Sequence, residues 1–224
     1  MEQKDTKTLI LDAAESLFAR RGYHATSMRN ITSLAKVNLA AVNYHFGSKD
    51  ALLDAVFERR LIPLNEIRLE ALRKVSAEAE KKNRKPLVKD IFRAFIEPTF
   101  RFKESGKGAE DFISLVGQSL AGQDSTVRKA FLRLITPIFM TLRQLLKEAL
   151  PEIPENIILW RLNFAMGALS HTMHVCTETF RSELSSLAGA HMKKSGNILL
   201  CEGKETDLLI DRLTSFISAG MEAK

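Results

Sequence analysis

Apolar residues along this chain recur at i, i+3/i+4 and i+7/i+8, the period of an amphipathic helix, and the two-residue alternation of a strand is nearly absent. Leu9, Ile10, Ala13, Ala14, Leu17 and Phe18 form the first such stripe, opposite Asp12, Glu15 and Arg20, and Gly22 follows as a C-cap. The same periodicity predicts helices at about 27–34, 39–45, 49–78, 86–104, 109–121, 126–149, 155–180 and 205–222. Asp124 or Ser125 is placed to cap one long helix, and Pro151-Glu152-Ile153-Pro154-Glu155 separates two others. Pro63, Pro98 and Pro137 fall inside or near helical patterns, where kinks or breaks are expected. Residues 182–203, rich in Ser, Gly and Lys, read as a long connection. The pattern is that of an all-α protein.

Between Thr26 and Lys49 the helices are short and their ends polar. Ser27 is positioned to cap a helix running to about Leu34, and Asn38 to cap a second, Leu39 to His45, with a small-residue face. Val37, Val42 and Phe46 are the candidates to pin that second helix to its neighbours. Gly47 permits a sharp exit, and Ser48-Lys49-Asp50 opens the next helix, whose amides beside a lysine suit a phosphate. This is the spacing of a helix-turn-helix, a short rigid helix offered to the major groove.

Bulk properties narrow the classes without choosing among them. With 224 residues the chain is long enough for one large domain, or a small one joined to a larger. A formal charge of +6 suits an anionic partner but is modest. Cys176 and Cys201 are the only cysteines and form no CxxC, which disfavours a disulfide framework or a zinc cluster. Met1 to Asp5 is polar and no apolar run reaches the ~20 residues of a membrane span. The expectation is a cytoplasmic protein without a membrane anchor or cofactor.

Several separate pieces then match one family in order. Ile10-Leu11-Asp12-Ala13-Ala14-Glu15-Ser16-Leu17-Phe18, Gly22-Tyr23, Thr26-Ser27-Met28-Arg29-Asn30-Ile31, Ala35-Lys36-Val37-Asn38 and Tyr44-His45-Phe46-Gly47-Ser48-Lys49-Asp50-Ala51-Leu52 resemble the N-terminal domain of TetR/AcrR-family transcriptional regulators. Lys36 departs from the pattern, because the family often has glycine there and a lysine must make the turn without glycine's freedom. The resemblance implies a helix-turn-helix domain over residues 1–50 and a ligand-binding and dimerisation domain over 51–224. It implies a homodimer on a palindromic operator, with repression the commoner mode.

Carried over position by position, Thr26, Ser27, Tyr44, His45 and Lys49 match phosphate contacts, and Arg29, Asn38, Ala40, Ala41 and Asn43 match positions facing base edges. The chemistry agrees: Asn43 can pair bidentately with adenine, Arg29 with guanine, and the alanine methyls can touch thymine. The run from Val37 to Lys49 also resembles a branch that controls fatty-acid degradation, which implies a small apolar effector such as a fatty acid or acyl-CoA.

Beyond residue 60 the pattern fades. Phe95, Phe100, Phe112, Val116, Phe131, Phe139 and Phe164 are the candidates for an apolar ligand pocket, the alternative being ordinary core. An effector's carboxylate or phosphate would want Arg101, Arg133, Arg143 or Arg161. In the family the last two long helices build the dimer interface, here Leu162, Leu169, Met173, Leu209, Leu213 and Phe216. His171, His174 and Cys176 share a helix, but no Asp or Glu stands three or four residues before any of them, and core or dimer-face histidines are the favoured reading. The competing readings are a helical metal- or thiol-dependent enzyme, whose motifs are missing, and a helical protein-interaction module.

Overall fold

The computed structural model describes residues 5–103, 108–121, 125–175 and 204–223. Among the described residues every regular element is a helix: α1 (Thr6–Arg21), α2 (Met28–Ala35), α3 (Leu39–Phe46), α4 (Lys49–Lys81), α5 (Val88–Lys103), α6 (Ala109–Ala121), α7 (Ser125–Ala149), α8 (Glu155–Val175) and α9 (Lys204–Glu222). The predicted helices therefore stand, with ends displaced by a few residues. The predicted connection at 182–203 lies outside the described residues.

Two compact units emerge. One holds residues 1–63 and 106–136, the other 64–105 and 137–224, so α4 and α7 each belong to both. Of the kinks or breaks expected at the prolines, no break occurs: Pro63, Pro98 and Pro137 lie within α4, α5 and α7. Each forfeits one backbone hydrogen bond, a loss that tertiary burial of the flanking residues outweighs. Two of the three stand where the chain passes from one unit to the other.

The first unit is held by an apolar interior and one buried ionic knot. Ile10, Ala14 and Phe18 of α1, Ile31 of α2, Val42 of α3 and Leu52, Val56 and Phe57 of α4 are fully buried. Phe57 meets Phe112 and Phe131 edge-on at 6.1 Å each. Glu15, expected on the polar side of α1, is instead 2% exposed. Arg60 donates to both its carboxylate oxygens, at 2.9 and 2.8 Å, and Arg59 adds a third bond at 2.7 Å while also reaching Asp12. Bonding to Glu15 raises the Arg60 pKa above its ordinary value. Gly108 closes the knot from the other side: its φ is +96°, and an added Cβ would lie 2.6 Å from Arg60 Nη2 and 2.8 Å from Glu15 Oε1.

In the second unit α9 packs along α5 and against α8. Ion pairs Arg93–Asp211 and Arg101–Asp207 run along the α5–α9 seam. The interior is apolar, with Phe92, Phe95, Phe100, Ile138, Leu142, Leu146, Ile158, Leu162 and Ile210 buried.

Two outcomes follow for stability. Glu15→Gln leaves two guanidinium groups facing a neutral amide in a buried site, and it should lower unfolding free energy by about 3–5 kcal/mol. Equilibrium urea unfolding checks this, with Glu66→Gln on the exposed face of α4 as a control that should change little. Lys36 sits at φ 56° and ψ 43°, a left-handed conformation costing a non-glycine residue roughly 1–2 kcal/mol. Lys36→Gly should therefore raise the denaturation midpoint rather than lower it, because relief of that strain exceeds glycine's added unfolded-state entropy.

Candidate functional site

The helix-turn-helix is built by caps. Ser27 Oγ accepts the Asn30 amide at 3.1 Å, and the Asn30 side chain accepts the Ser27 amide at 2.9 Å, a reciprocal capping box that starts α2. Lys36 then turns the chain, Val37 N donates to Thr32 O, and Asn38 Oδ1 accepts the Ala41 amide at 2.8 Å to start α3. α3 has one fully buried residue, Val42, so most of its surface is outward. It ends at Gly47, φ +73°, and Ser48 Oγ caps α4 through the Ala51 amide. Tyr23 fixes this corner: its hydroxyl donates to Asp50, its ring lies 5.5 Å from that of Phe18, and Lys49 Nζ stands 4.1 Å above it.

The predicted DNA-facing residues are sorted by this geometry. Tyr44 is 86% exposed and lies edge-on to the neighbouring His45 ring, which is exposed too. Ser27, Arg29, Asn38, Ala40 and Asn43 are exposed, while Ala41 and Lys49 are half-buried. Ser27 and Asn38 each spend one oxygen on a cap, leaving the Asn38 amide nitrogen for another contact. The amides opening α4 have no intrahelical acceptor and lie beside Lys49. Thr26 is placed differently from the other candidates. It is completely buried, its hydroxyl donates to Gly22 O at 2.9 Å and Leu17 O at 3.2 Å, and its amide donates to Tyr23 O. It holds the α1–α2 turn and has nothing left for a phosphate.

The predicted pocket residues divide between the units. Phe112, Val116 and Phe131 are buried in the first and Phe95 and Phe100 in the second, where Phe139 is half-buried. Phe164 is not brought together with them: it is 66% exposed, with the 61%-exposed Trp160 ring 6.0 Å away. The residues expected at the dimer interface are placed mostly inward. Leu162, Leu169, Met173 and Leu213 are buried within the chain's own core, because the inward stripes of α8 and α9 pack on it. Leu209 is half-buried, and Phe216, at 70% exposure, stands outside. The outward apolar residues of these helices are Ile157, Leu159, Trp160, Phe164, Leu208 and Phe216. His171 is exposed, while the His174 side chain and Cys176 lie outside the described residues.

The four candidate arginines are already occupied. Arg101 pairs with Asp207, Arg133 with Glu58 and Asp54, and Arg143 with Glu155, while Arg161 donates to Met221 O at 2.7 Å. The residue missed by sequence reasoning is Arg68, buried in the second unit. It donates to Asn65 Oδ1 at 3.0 Å, Phe95 O at 3.3 Å and Thr99 Oγ1 at 2.6 Å, and its guanidinium lies 4.5 Å from the Phe95 ring centre. Burial pushes its pKa down to about 9, a desolvation cost on the order of a few kcal/mol. The signal was present: Leu61, Leu64, Arg68 and Leu72 occupy one i, i+3, i+7, i+11 stripe, and all four are buried. No described helix is long and apolar enough to cross a membrane.

Comparison with known proteins converges on one family. Residues 10–56 match the family model described as bacterial regulatory proteins of the tetR family, and residues 93–220 match the tetracyclin repressor-like C-terminal domain. An HTH-type transcriptional repressor of Mycobacterium tuberculosis is 46% identical over 56 residues, 25% of this chain and 30% of that protein. The Escherichia coli regulator UidR is 36% identical over 55 residues, 25% of this chain and 28% of its own length. These matches thus span less than a third of either relative. The fold is shared with the transcriptional regulator FadR from Bacillus subtilis, solved in complex with stearoyl-CoA, at TM-score 0.64 and 15% identity over 95% of this chain and 98% of that one. A TetR-family regulator from Bordetella parapertussis gives TM-score 0.64 at 16% identity over 96% of this chain and 95% of that one. With a DNA-binding helix-turn-helix at one end and the family's C-terminal domain matched over more than half its length, the chain belongs to the tetR family of transcriptional regulators, which are DNA-binding proteins and not enzymes.

Proposed function

We propose that this regulator is a homodimeric repressor that holds a palindromic operator through α3 and releases it when a small apolar effector binds the second unit. The observation that carries the DNA half is the outward surface of α3. Eight residues give a helix about 12 Å long, fixed through buried Val42 and offering Ala40, Asn43 and Tyr44 to solvent. Tyr44, His45, Lys49 and Ser27 would position the protein on phosphates, and Asn43 and Arg29 would read bases, with the Ala40 and Ala41 methyls and Asn38 beside them. Residues 1–50 serve as the reader, and 51–224 carry effector binding and dimerisation.

The outward faces of α8 and α9 supply the dimer contact. Trp160, Phe164 and Gly167 follow one another on α8 at i, i+4 and i+7, and Phe216 and Gly220 do so on α9 at i and i+4. Large rings beside glycines, neither of whose Cβ positions meets a neighbour, suit the close approach of a second helix pair. A symmetric dimer also doubles the DNA contacts that one short helix can make. The fatty-acyl character of the effector is supported by the fold shared with FadR, which was solved with stearoyl-CoA, and by the phenylalanine-rich interior of the second unit.

Two outcomes test this reading. On a duplex selected by the protein from a random pool, Tyr44→Ala should weaken binding to selected and scrambled duplexes alike and reduce the salt slope by about one. Asn43→Ala should instead cost about 1–3 kcal/mol on the selected duplex alone. Equal losses on both duplexes for Asn43→Ala would remove its reading role. Phe164→Glu combined with Phe216→Glu should convert the dimer to a monomer in analytical ultracentrifugation with helicity intact, and a dimer that persists places the interface elsewhere.

A further inference from the structure

Arg68 is the one buried arginine among the described residues, and it also differs from the less buried ones in its partners. Arg59 and Arg60 meet Glu15, and the arginines of the α5–α9 seam meet aspartates. Arg68 meets no carboxylate: its partners are one amide oxygen, one carbonyl and one hydroxyl. Those bonds use three of the five N–H groups a guanidinium carries. Thr99, itself buried, accepts from Arg68 and passes its own proton toward Phe95 O at 3.5 Å. The plane of the guanidinium is thus fixed from three sides while its charge is left uncompensated.

A brace between α4 and α5 does not need a charge. A methionine or glutamine there would span the same gap at less cost, since a buried ion without a counter-ion is the most expensive way to fill a core position. A second observation lies on α9, which packs against the helix carrying Phe95 and Thr99. The hydroxyls of Thr206 and Thr214 are buried and have no hydrogen-bond partner. Within the second unit, these two hydroxyls lack a hydrogen-bond partner and Arg68 lacks a counter-ion among the described residues.

We infer that Arg68 is the seat of the effector's carboxylate, the ligand being an aliphatic carboxylic acid whose head pairs with the two remaining guanidinium N–H groups and whose chain lies among the phenylalanines of the second unit. Asn65 and Thr99 are positioning residues that hold the guanidinium plane. The planar two-point match selects a carboxylate over a hydroxyl or an ester. Near-complete burial selects a small head over a nucleotide-sized one. This inference rests on the apolar-effector reading above and adds the chemistry of the head group.

The test uses the full chain and a matched series of C8–C18 saturated acids, the corresponding 1-alkanols and the acyl-CoA thioesters, read by isothermal titration and thermal shift. An ion-paired hydrogen bond predicts acids binding about ten- to a hundredfold more tightly than alcohols of equal length. Arg68→Met should collapse that ratio to near one. For wild-type protein, the carboxyl carbon of the bound 13C-labelled acid should keep its ionised chemical shift well below the ordinary carboxylate pKa, a readout that needs no variant to fold. Alcohols binding as tightly as acids, or a bound carboxyl that titrates normally, overturn the role of Arg68 and leave an apolar effector standing. Binding of CoA thioesters alone, undiminished in Arg68→Met, overturns it too. If no member of the three series binds, the apolar-effector reading fails with it.

Discussion

The reader depends on one buried charge. Glu15 sits inside α1's apolar stripe, where an unpaired carboxylate would be prohibitive, and it is tolerated only because Arg59 and Arg60 of α4 close on it. That requirement fixes the approach of α1 to α4 more tightly than the surrounding hydrophobic contacts, which tolerate small slips. It also reaches across the sequence to Gly108, since any side chain there would enter the space of the Arg60 guanidinium and the Glu15 carboxylate. Tyr23, bonded to Asp50 and lying under Lys49, ties the same two helices at their other end. α2 and α3 then need only a short list of anchors, Ile31, Ala35 and Val42, to be held against this frame.

That economy explains which polar groups remain for DNA. Ser27, Asn30, Asn38 and Ser48 each spend part of their hydrogen-bonding capacity on starting helices, and Thr26 spends its hydroxyl on closing a turn. What survives uncommitted is a narrow set at the outer face of α3 and the start of α2, with Tyr44 and His45 at one end and Arg29 at the other. A helix this short owes its stability to caps and tertiary anchors rather than to propagation. Its rigidity, which recognition needs, therefore comes from caps and buried anchors, chiefly Asn38 and Val42.

Helices and the helix-turn-helix were legible because periodicity and caps are local. What was not legible is the environment set by residues distant in sequence. Leu162 and Phe216 looked alike as members of apolar helices, yet one faces the core and the other solvent, and only the packing of α8 and α9 decides between them. Phe164 read as a candidate for pocket or core, and the structure places it on α8's outward stripe. Thr26 matched a motif position while its hydroxyl was already taken by carbonyls four and nine residues back. Glu15 and Arg68 share one lesson: a charged residue at an apolar stripe position is the sequence-level trace of a buried ion, and the partner it needs cannot be read from the same stripe.

The two buried ions end differently, and the difference is functional. Glu15 is matched by two arginines within the protein, so its electrostatics are closed and its contribution is to architecture. Arg68 has had its geometry fixed by Asn65, Phe95 and Thr99 but its charge left open. Its lowered pKa, about 9, still leaves it cationic at neutral pH, so the desolvation cost persists under physiological conditions. An anion arriving at the group would restore its pKa and relieve that cost, and the relief appears as affinity for the anion. By the same linkage, such a ligand is favoured by whichever conformation keeps Arg68 buried, so a charge held open in the core gives an acidic effector leverage over conformation that a neutral one of equal length lacks.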